Sequence, residues 1–568
     1  MSIQMQTSNA DGTGVMVGVG LLDVITFDVL KSAFTNLTEE MALTVRRAAY
    51  STNIKTRADF SCAFFDNKLR AIALSFAQPP HLVSMANVLP TAIEEYGADR
   101  LQPGDCLLVN DPHRGASHLN DIACISPVFS GGKCIGYVAN MAHHVDVGGS
   151  FPASLGLAKD IYQEGIVLPP TRIARGGDID ENVLNFFLAN VRAPRETSGD
   201  LRAQIAANTG GTTHAQRIIE RYSQEVVTAF FDELVSYTRR WTERELSDMK
   251  NGTWSAIGYR DDDGITDEPV KIQVNVTIQD KKMILDVTGS DPQTQSSLNA
   301  TRQMTMCSLA FVARSLMDAK LPVNSGFLDC LEVTGPDGLV CTAMKPAGVV
   351  GGWEVGQLTT ELIWKALFGA FPERVPAASK GLIVNIGLAG HDPKKAEYFC
   401  YMETIGGGGG ARSSLDGADA VQTSLHNTEN APVEEIELNY PFRIQRYELI
   451  KDSCGNGKFR GGLGIRRVFE FPYAPIEFTI LSDGTRFAPW GLAGGGSARP
   501  ARFIRTVDGQ NSVLPSKTTF TAGVGETVSI ETPGGGGYGD PGERLPEQVS
   551  ADIRAERVSV PKTAKPVN

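Results

Sequence analysis

Apolar residues recur at intervals of three and four from Leu30 through Phe34, Leu37, Met41 and Val45 to Ala48. A single stripe of that period predicts a helix over about 24–50 that buries one face. From Ser61 to about Phe129 the signal turns to β. Cys62–Leu74 reads as a hairpin with Asp66-Asn67 at its tip, and Asp105–Val109 as a short buried strand. Ile122–Phe129 and Cys134–His143 form a second hairpin around Gly131-Gly132. The helical period returns in Ile219, Tyr222, Val226, Phe230, Leu234, Tyr237 and Trp241. With Thr213 and Gln216 as a capping box, it predicts one long helix over roughly 213–249. Beyond Asn251-Gly252, strands are expected over 270–278 and 282–288, with helices near 304–317 and 358–371.

These elements predict an α+β protein: mixed antiparallel sheets, a long helix, and a Gly-rich, β-dominated C-terminal half. The expected divisions are a disordered or extended arm over 1–23, a region over 24–250, a second over 251–541, and a short helix with a tail over 542–568. The glycine runs at 406–410, 461–462, 494–496 and 534–537 are expected to be turns or interface loops.

Composition narrows the function. Hydrophobic residues make up 42% and charged residues 21% of 568, which excludes a disordered chain. The net charge of −12 argues against nucleic acid as the main partner. The apolar run Val15–Leu22 is cut by Asp23 and is too short to span a membrane. Nine scattered cysteines without a CxxC pair point to a reducing, cytoplasmic setting and away from a thiolate zinc site.

Four of the eight histidines, His113, His118, His143 and His144, fall in one short window with Asp111, Asp121 and Asp146. His118 and Asp121 are three residues apart and converge in a turn. His144 and Asp146 are two apart and share a face if the strand runs on, with His143 on the other face. Two imidazoles and two carboxylates so placed suit a divalent metal: zinc, manganese or iron. The alternative is a polar strand-end cluster held by hydrogen bonds. No GxxxxGK[ST] phosphate loop occurs.

The segments Asn110–Asp121 (NDPHRGASHLND), His143–Gly149 (HHVDVGG) and Ile161–Pro170 (IYQEGIVLPP) resemble motifs of the hydantoinase B/oxoprolinase family. So do Pro322–Gly326, Asn427–Glu434, Phe459–Gly464, Phe487–Gly491 and Glu531–Pro541, in order over about 24–541. The resemblance implies one subunit of an ATP-dependent enzyme that opens hydantoins, 5-oxoproline or lactams. ATP would be bound by a hydantoinase A-like partner, most simply in a heterotetramer. Ketone carboxylation is the alternative reaction, and a non-catalytic scaffold subunit the third. The family motifs map onto His118 and Asp121 and onto His143, His144 and Asp146, of which His118, Asp121, His144 and Asp146 are the expected metal ligands. His143, Glu164 and Asp111 are then the candidates for moving protons. The chain departs from the family pattern at His113, where tyrosine is usual, and at Ala116-Ser117. His113 and Ser117 are therefore the candidate substrate contacts.

Overall fold

The computed structural model describes residues 22–75 and 79–560. The arm expected over 1–23, apart from its last two residues, and the tail beyond 560 lie outside the described residues. No described helix is long and apolar enough to cross a membrane.

The first half is built on a seven-stranded antiparallel sheet. Its spatial order is Ala71–Leu74, Phe60–Asp66, Lys133–His143, Asp121–Ser130, Cys106–Val109, Thr171–Arg175 and Asp178–Ile179. The first predicted helix is Val24–Ala48. Asp23 caps it by accepting from the Thr26 amide at 2.8 Å, and Arg46 and Arg47 complement its C-terminal end. Its stripe, Phe27 to Val45, packs on one face of the sheet with the helices that follow the sheet in sequence. On the other face, the helix Pro79–Tyr96 covers Ala63, Phe65, Ala139 and Met141. That helix falls inside the stretch read as β.

The long helix departs from expectation. It begins at Pro194, runs to Tyr222, and a second helix spans Gln224–Asp248. Ser223 between them has a φ of 72°, in the left-handed region, which breaks the helix. The expected capping box lies mid-helix: the Thr213 hydroxyl donates back to Thr209 O at 3.0 Å, and Gln216 donates to Phe129 O. The early turns were hidden because small residues replace large apolar ones there. A Cβ on Gly211 would stand 2.4 Å from Met41 Sδ, so this helix crosses the first one too closely for a side chain.

A second sheet joins Leu331–Thr334, Lys282–Asp286, Val270–Gln279 and Gly252–Arg260. The predicted helices lie against it as Arg302–Ser315 and Gly352–Leu367. The C-terminal part is two facing sheets. One contains Asn385–Asp392 and Ile476–Leu481 at its centre, the other Ile465–Glu470 and Thr527–Glu531. Phe442, Phe469, Phe478 and Ile530 fill the space between them. Helices and mostly antiparallel sheets thus occur together as the α+β class requires.

Apart from the turn at Ala493-Gly494, where Gly494 has a φ of 92°, the glycine runs are extended chains stacked backbone on backbone. Gly462 N–H donates to Gly409 O, Gly535 N–H to Gly462 O, and Gly537 N–H to Gly496 O, at 2.8–3.0 Å. A Cβ on Gly535 would lie 1.9 Å from Gly409 O, and one on Gly461 1.8 Å from Gly535 O. Only glycine lets the strands approach this closely. We expect Gly535→Ala to cost about 3 kcal/mol or to prevent folding. Gly210→Ala, on an exposed helical site with open space around it, should gain about 0.5–1 kcal/mol. Chemical denaturation of the two variants side by side checks both.

Candidate metal centre

Side chains alternate along the central hairpin, and the alternation sets the site. Asp121 begins one strand, His143 ends the next, and the two are directly opposite. Both point to the face covered by the helix Pro79–Tyr96, which carries His81. His118 sits in the turn before Asp121, closed by Asp121 N–H donating to His118 O at 3.1 Å. The four side chains converge. His118 Nδ1 lies 2.8 Å from Asp121 Oδ2, and His143 Nδ1 3.1 Å and His81 Nε2 3.3 Å from Asp121 Oδ1. All are buried.

Of these three short distances only His143 Nδ1 to Asp121 Oδ1 is aligned as a hydrogen bond. Among the described residues, Asp121 Oδ2, His143 Nε2, both nitrogens of His81 and Asp59 Oδ1 are buried with no aligned partner. His118 Nδ1 is close to Asp121 Oδ2, yet its direction does not serve that oxygen. Buried polar atoms left unsatisfied cost about 1–3 kcal/mol each, so a native cluster of them calls for an explanation. One atom each from His118, Asp121 and His143 lies within 4.8 Å of the others, which fits a bound cation. Two imidazole nitrogens and a carboxylate oxygen are an ordinary divalent donor set.

Electrostatics support a charged centre. Burial opposes ionisation of Asp121, but the imidazoles of His118 and His81 hold it well below the ordinary carboxylate range. Burial also opposes a charge on His81, yet Asp121 and Asp59 raise its pKa. Burial lowers that of His118. Trp353 closes one side, its Nε1–H directed at the edge of the His118 ring at 3.1 Å. His426 stands edge-on to Trp353, with ring centroids 5.6 Å apart.

The residues singled out from the sequence separate into groups. His118 and Asp121 are brought together. His143, expected to carry protons from the opposite face, stands in the third position. His144 and Asp146, expected as ligands, are elsewhere. The strand ends at His143, so His144 points to the opposite face and meets Gln204 Oε1 at 2.8 Å. Gly148 and Gly149, both at positive φ, then turn the chain. Asp146 accepts from the Arg192 side chain at 3.0 Å and from the amides of Arg192 and Gly148. Asp111 is held by Arg114, Lys345 and the His113 amide. His113 Nε2 is 3.3 Å from Ala347 O, and Ser117 shares a hydrogen bond with Ser84 at 2.8 Å. Glu164 is buried; one oxygen accepts from Val350 N–H at 2.9 Å and the other is unpartnered. Sequence reasoning missed His81, Asp59 and Trp353. They lie far along the chain from the His113–His144 window, and no local spacing marks them.

A family model described as hydantoinase B/oxoprolinase matches residues 23–541. The caprolactamase subunit beta of Pseudomonas jessenii is 31% identical, over 95% of this chain and 94% of that protein. The crystal structure of the ATP-dependent caprolactamase from the same organism superposes with a TM-score of 0.86 at 29% identity, covering 95% of each chain. A nucleotide-free acetone carboxylase structure gives a TM-score of 0.87, covering 94% of this chain and 78% of that one. At 19% identity, that likeness is one of fold.

Two outcomes are expected. Elemental analysis of the purified chain should show near-stoichiometric divalent metal. His143→Ala or Asp121→Ala should weaken metal affinity beyond the roughly 10–100-fold typical of outer partners. Asp146→Asn should leave the metal in place. Separately, burial raises the Glu164 carboxyl from 4.5 to about 8. The folded chain keeps a proton that the unfolded chain releases, so stability is lost as pH rises from about 4.5 to 8. Glu164→Gln should therefore match the parent at pH near 5 and exceed it at pH near 8, read from urea midpoints.

Proposed function

The chain belongs to the hydantoinase B/oxoprolinase family, and from that premise we propose that it is the B-type subunit of an ATP-dependent cyclic amidohydrolase. Its substrate is a hydantoin, 5-oxoproline or lactam ring, phosphorylated by an A-type partner and opened on this chain. The observation that carries the reading is the buried convergence of His118, Asp121 and His143, with unaligned polar atoms around it. The near full-length likeness to a caprolactamase beta subunit supports the reaction class.

An amide carbonyl is a poor electrophile, and its nitrogen a poor leaving group. Phosphorylation of the oxygen by the partner makes a carbon that water can attack. In this reading His118, Asp121 and His143 hold zinc, manganese or iron, and the ion supplies Lewis acidity when bound. Asp121 fixes the imidazole of His143 through Nδ1 and leaves its Nε2 free to face the site. His81 Nε2 stands 3.3 Å from Asp121 Oδ1, where Asp121 and Asp59 raise its pKa against the effect of burial. Trp353 and His426 wall off the His118 side from water. In this reading the phosphoryl donor sits on the partner. Two of each subunit is the simplest assembly.

The reconstituted complex should be assayed with ATP and labelled bicarbonate against hydantoin, 5-oxoproline, a lactam and a ketone. Ring opening without label uptake is expected. Label fixed into a ketone would establish the carboxylase instead. Asp121→Asn should lower ring opening about a hundredfold or more. Undiminished turnover in that variant would reduce the chain to a scaffold.

A further inference from the structure

His426 is buried and stands where two paths from the metal centre meet. On one side its ring packs edge-on against Trp353, whose Nε1–H is directed at His118. On the other side Thr428 Oγ1 lies 2.9 Å from His426 Nδ1 and 3.2 Å from a guanidinium nitrogen of Arg57. Arg57 donates to Asn53, and Asn53 donates to the carbonyl of His143.

The hydrogens along the second path are fixed by groups that only donate. A guanidinium and an ammonium have no acceptor atom. Lys380 Nζ donates to Gln422 Oε1 at 2.6 Å, which turns the other end of that amide, Nε2–H, toward Thr404 Oγ1 at 3.2 Å. Arg57 donates to the same hydroxyl oxygen. With both of its lone pairs taken, the Thr404 hydroxyl donates to Thr428 Oγ1 at 3.0 Å. Thr428 Oγ1 also accepts from Arg57, so its own hydrogen goes to His426 Nδ1. Nδ1 is therefore an acceptor, and the ring carries its hydrogen on Nε2. That nitrogen has no hydrogen-bond partner among the described residues.

A second hydrogen on the ring is opposed from every side. Burial, then Arg57 and Lys380, hold the His426 pKa well below the ordinary imidazole range, and His143 and His81 act in the same sense. Burial brings Lys380 itself down only to about 7, so it is still charged where an ordinary imidazole takes up its proton. A neutral ring locked in this way is no base. It is a hydrogen-bond donor with two buried cations behind it, which suits an oxygen that carries negative charge.

We propose that His426 is a further catalytic residue, whose Nε2–H donates a hydrogen bond to a phosphoryl oxygen of the activated ring. The inference rests on the reading of the chain as a cyclic amidohydrolase subunit. The hydrogen stays on Nε2 throughout, and no proton is transferred. Thr428 is a positioning residue, since it acts by fixing Nδ1.

The test uses the complex with its partner. Histidine-selective 15N labelling reads the tautomer, and His426→Gln assigns the resonance by removing it. A neutral ring with its hydrogen on Nε2 is expected from about pH 5.5 to 8.5. A charged ring, or a hydrogen on Nδ1, overturns the proposal. Thr428→Val removes the hydroxyl that fixes Nδ1 and should populate both tautomers; an unchanged spectrum overturns the proposal. His426→Ala should lower kcat about 100-fold, with metal content and KM for the ring unchanged. In His426→Gln the amide nitrogen falls near the place of Nε2 and should recover about tenfold of that loss. A ring that only filled space would gain nothing from the amide. Equal losses in the two variants, or undiminished kcat in His426→Ala, overturn the proposal and leave the proposed function standing. If the parent complex opens no ring, the proposed function fails, and inorganic phosphate decides the donor separately. A saturable shift of the His426 Nε2 resonance supports it, and no shift overturns it.

Discussion

A carboxylate without water must be surrounded by something that replaces water. Asp121 is fully buried, and the imidazoles of His118, His81 and His143 stand where its hydration would be and hold its pKa well below the ordinary carboxylate range. The rest of the molecule is arranged around that requirement. The hairpin brings His143 opposite Asp121, a tight turn brings His118, and the helix below the sheet brings His81. Trp353 arrives from a helix that belongs to the second sheet, more than two hundred residues later. No single region of the chain holds the centre by itself.

The joint between regions is made by equally buried polar groups. Arg57 is fully buried and donates to Asn53 at 2.6 Å, to the carbonyls of Met402 and Glu429, and to Thr428. Asn53 in turn donates to the carbonyl of His143 at 2.8 Å. A continuous path of hydrogen bonds therefore runs from the C-terminal sheets to the backbone of His143. The stacked glycine chains hold the same C-terminal part through backbone contacts that leave no room for side chains. Stiff backing of this kind keeps ligand atoms within the few tenths of an ångström that a metal or a reacting ring demands.

Much was legible from periodicity. The first helix follows from apolar spacing because it buries one face and exposes the other, and the two hairpins of the large sheet follow from short apolar runs joined by turn residues. Where both faces are buried the period disappears. The helix Gly352–Leu367 is buried on nearly every residue, and the pattern placed it six residues late. The helix Pro79–Tyr96, with Pro90 inside it, read as part of a β region and took His81 out of view. Glycine runs read as turns because glycine is most often selected for its dihedral freedom. Here it is selected for its missing side chain.

The sequence by itself determined the class of the fold, the short window in which the buried cluster forms, and two of its members, His118 and Asp121. Those two sit three residues apart, and a turn of that length brings them together whatever surrounds it. Only the tertiary structure decided the third. An unbroken ladder from the turn at Gly131-Gly132 would set Asp121 opposite Ala142. The irregularity between Val128 and Phe129 shifts the register by one and sets it opposite His143. A one-residue shift in a strand exchanges which faces meet, and nothing in the local pattern of residues records that an extra residue has been bulged out. His143 rather than His144 therefore faces Asp121, and the packing of sheet and helix that holds the bulge in place is what selects it.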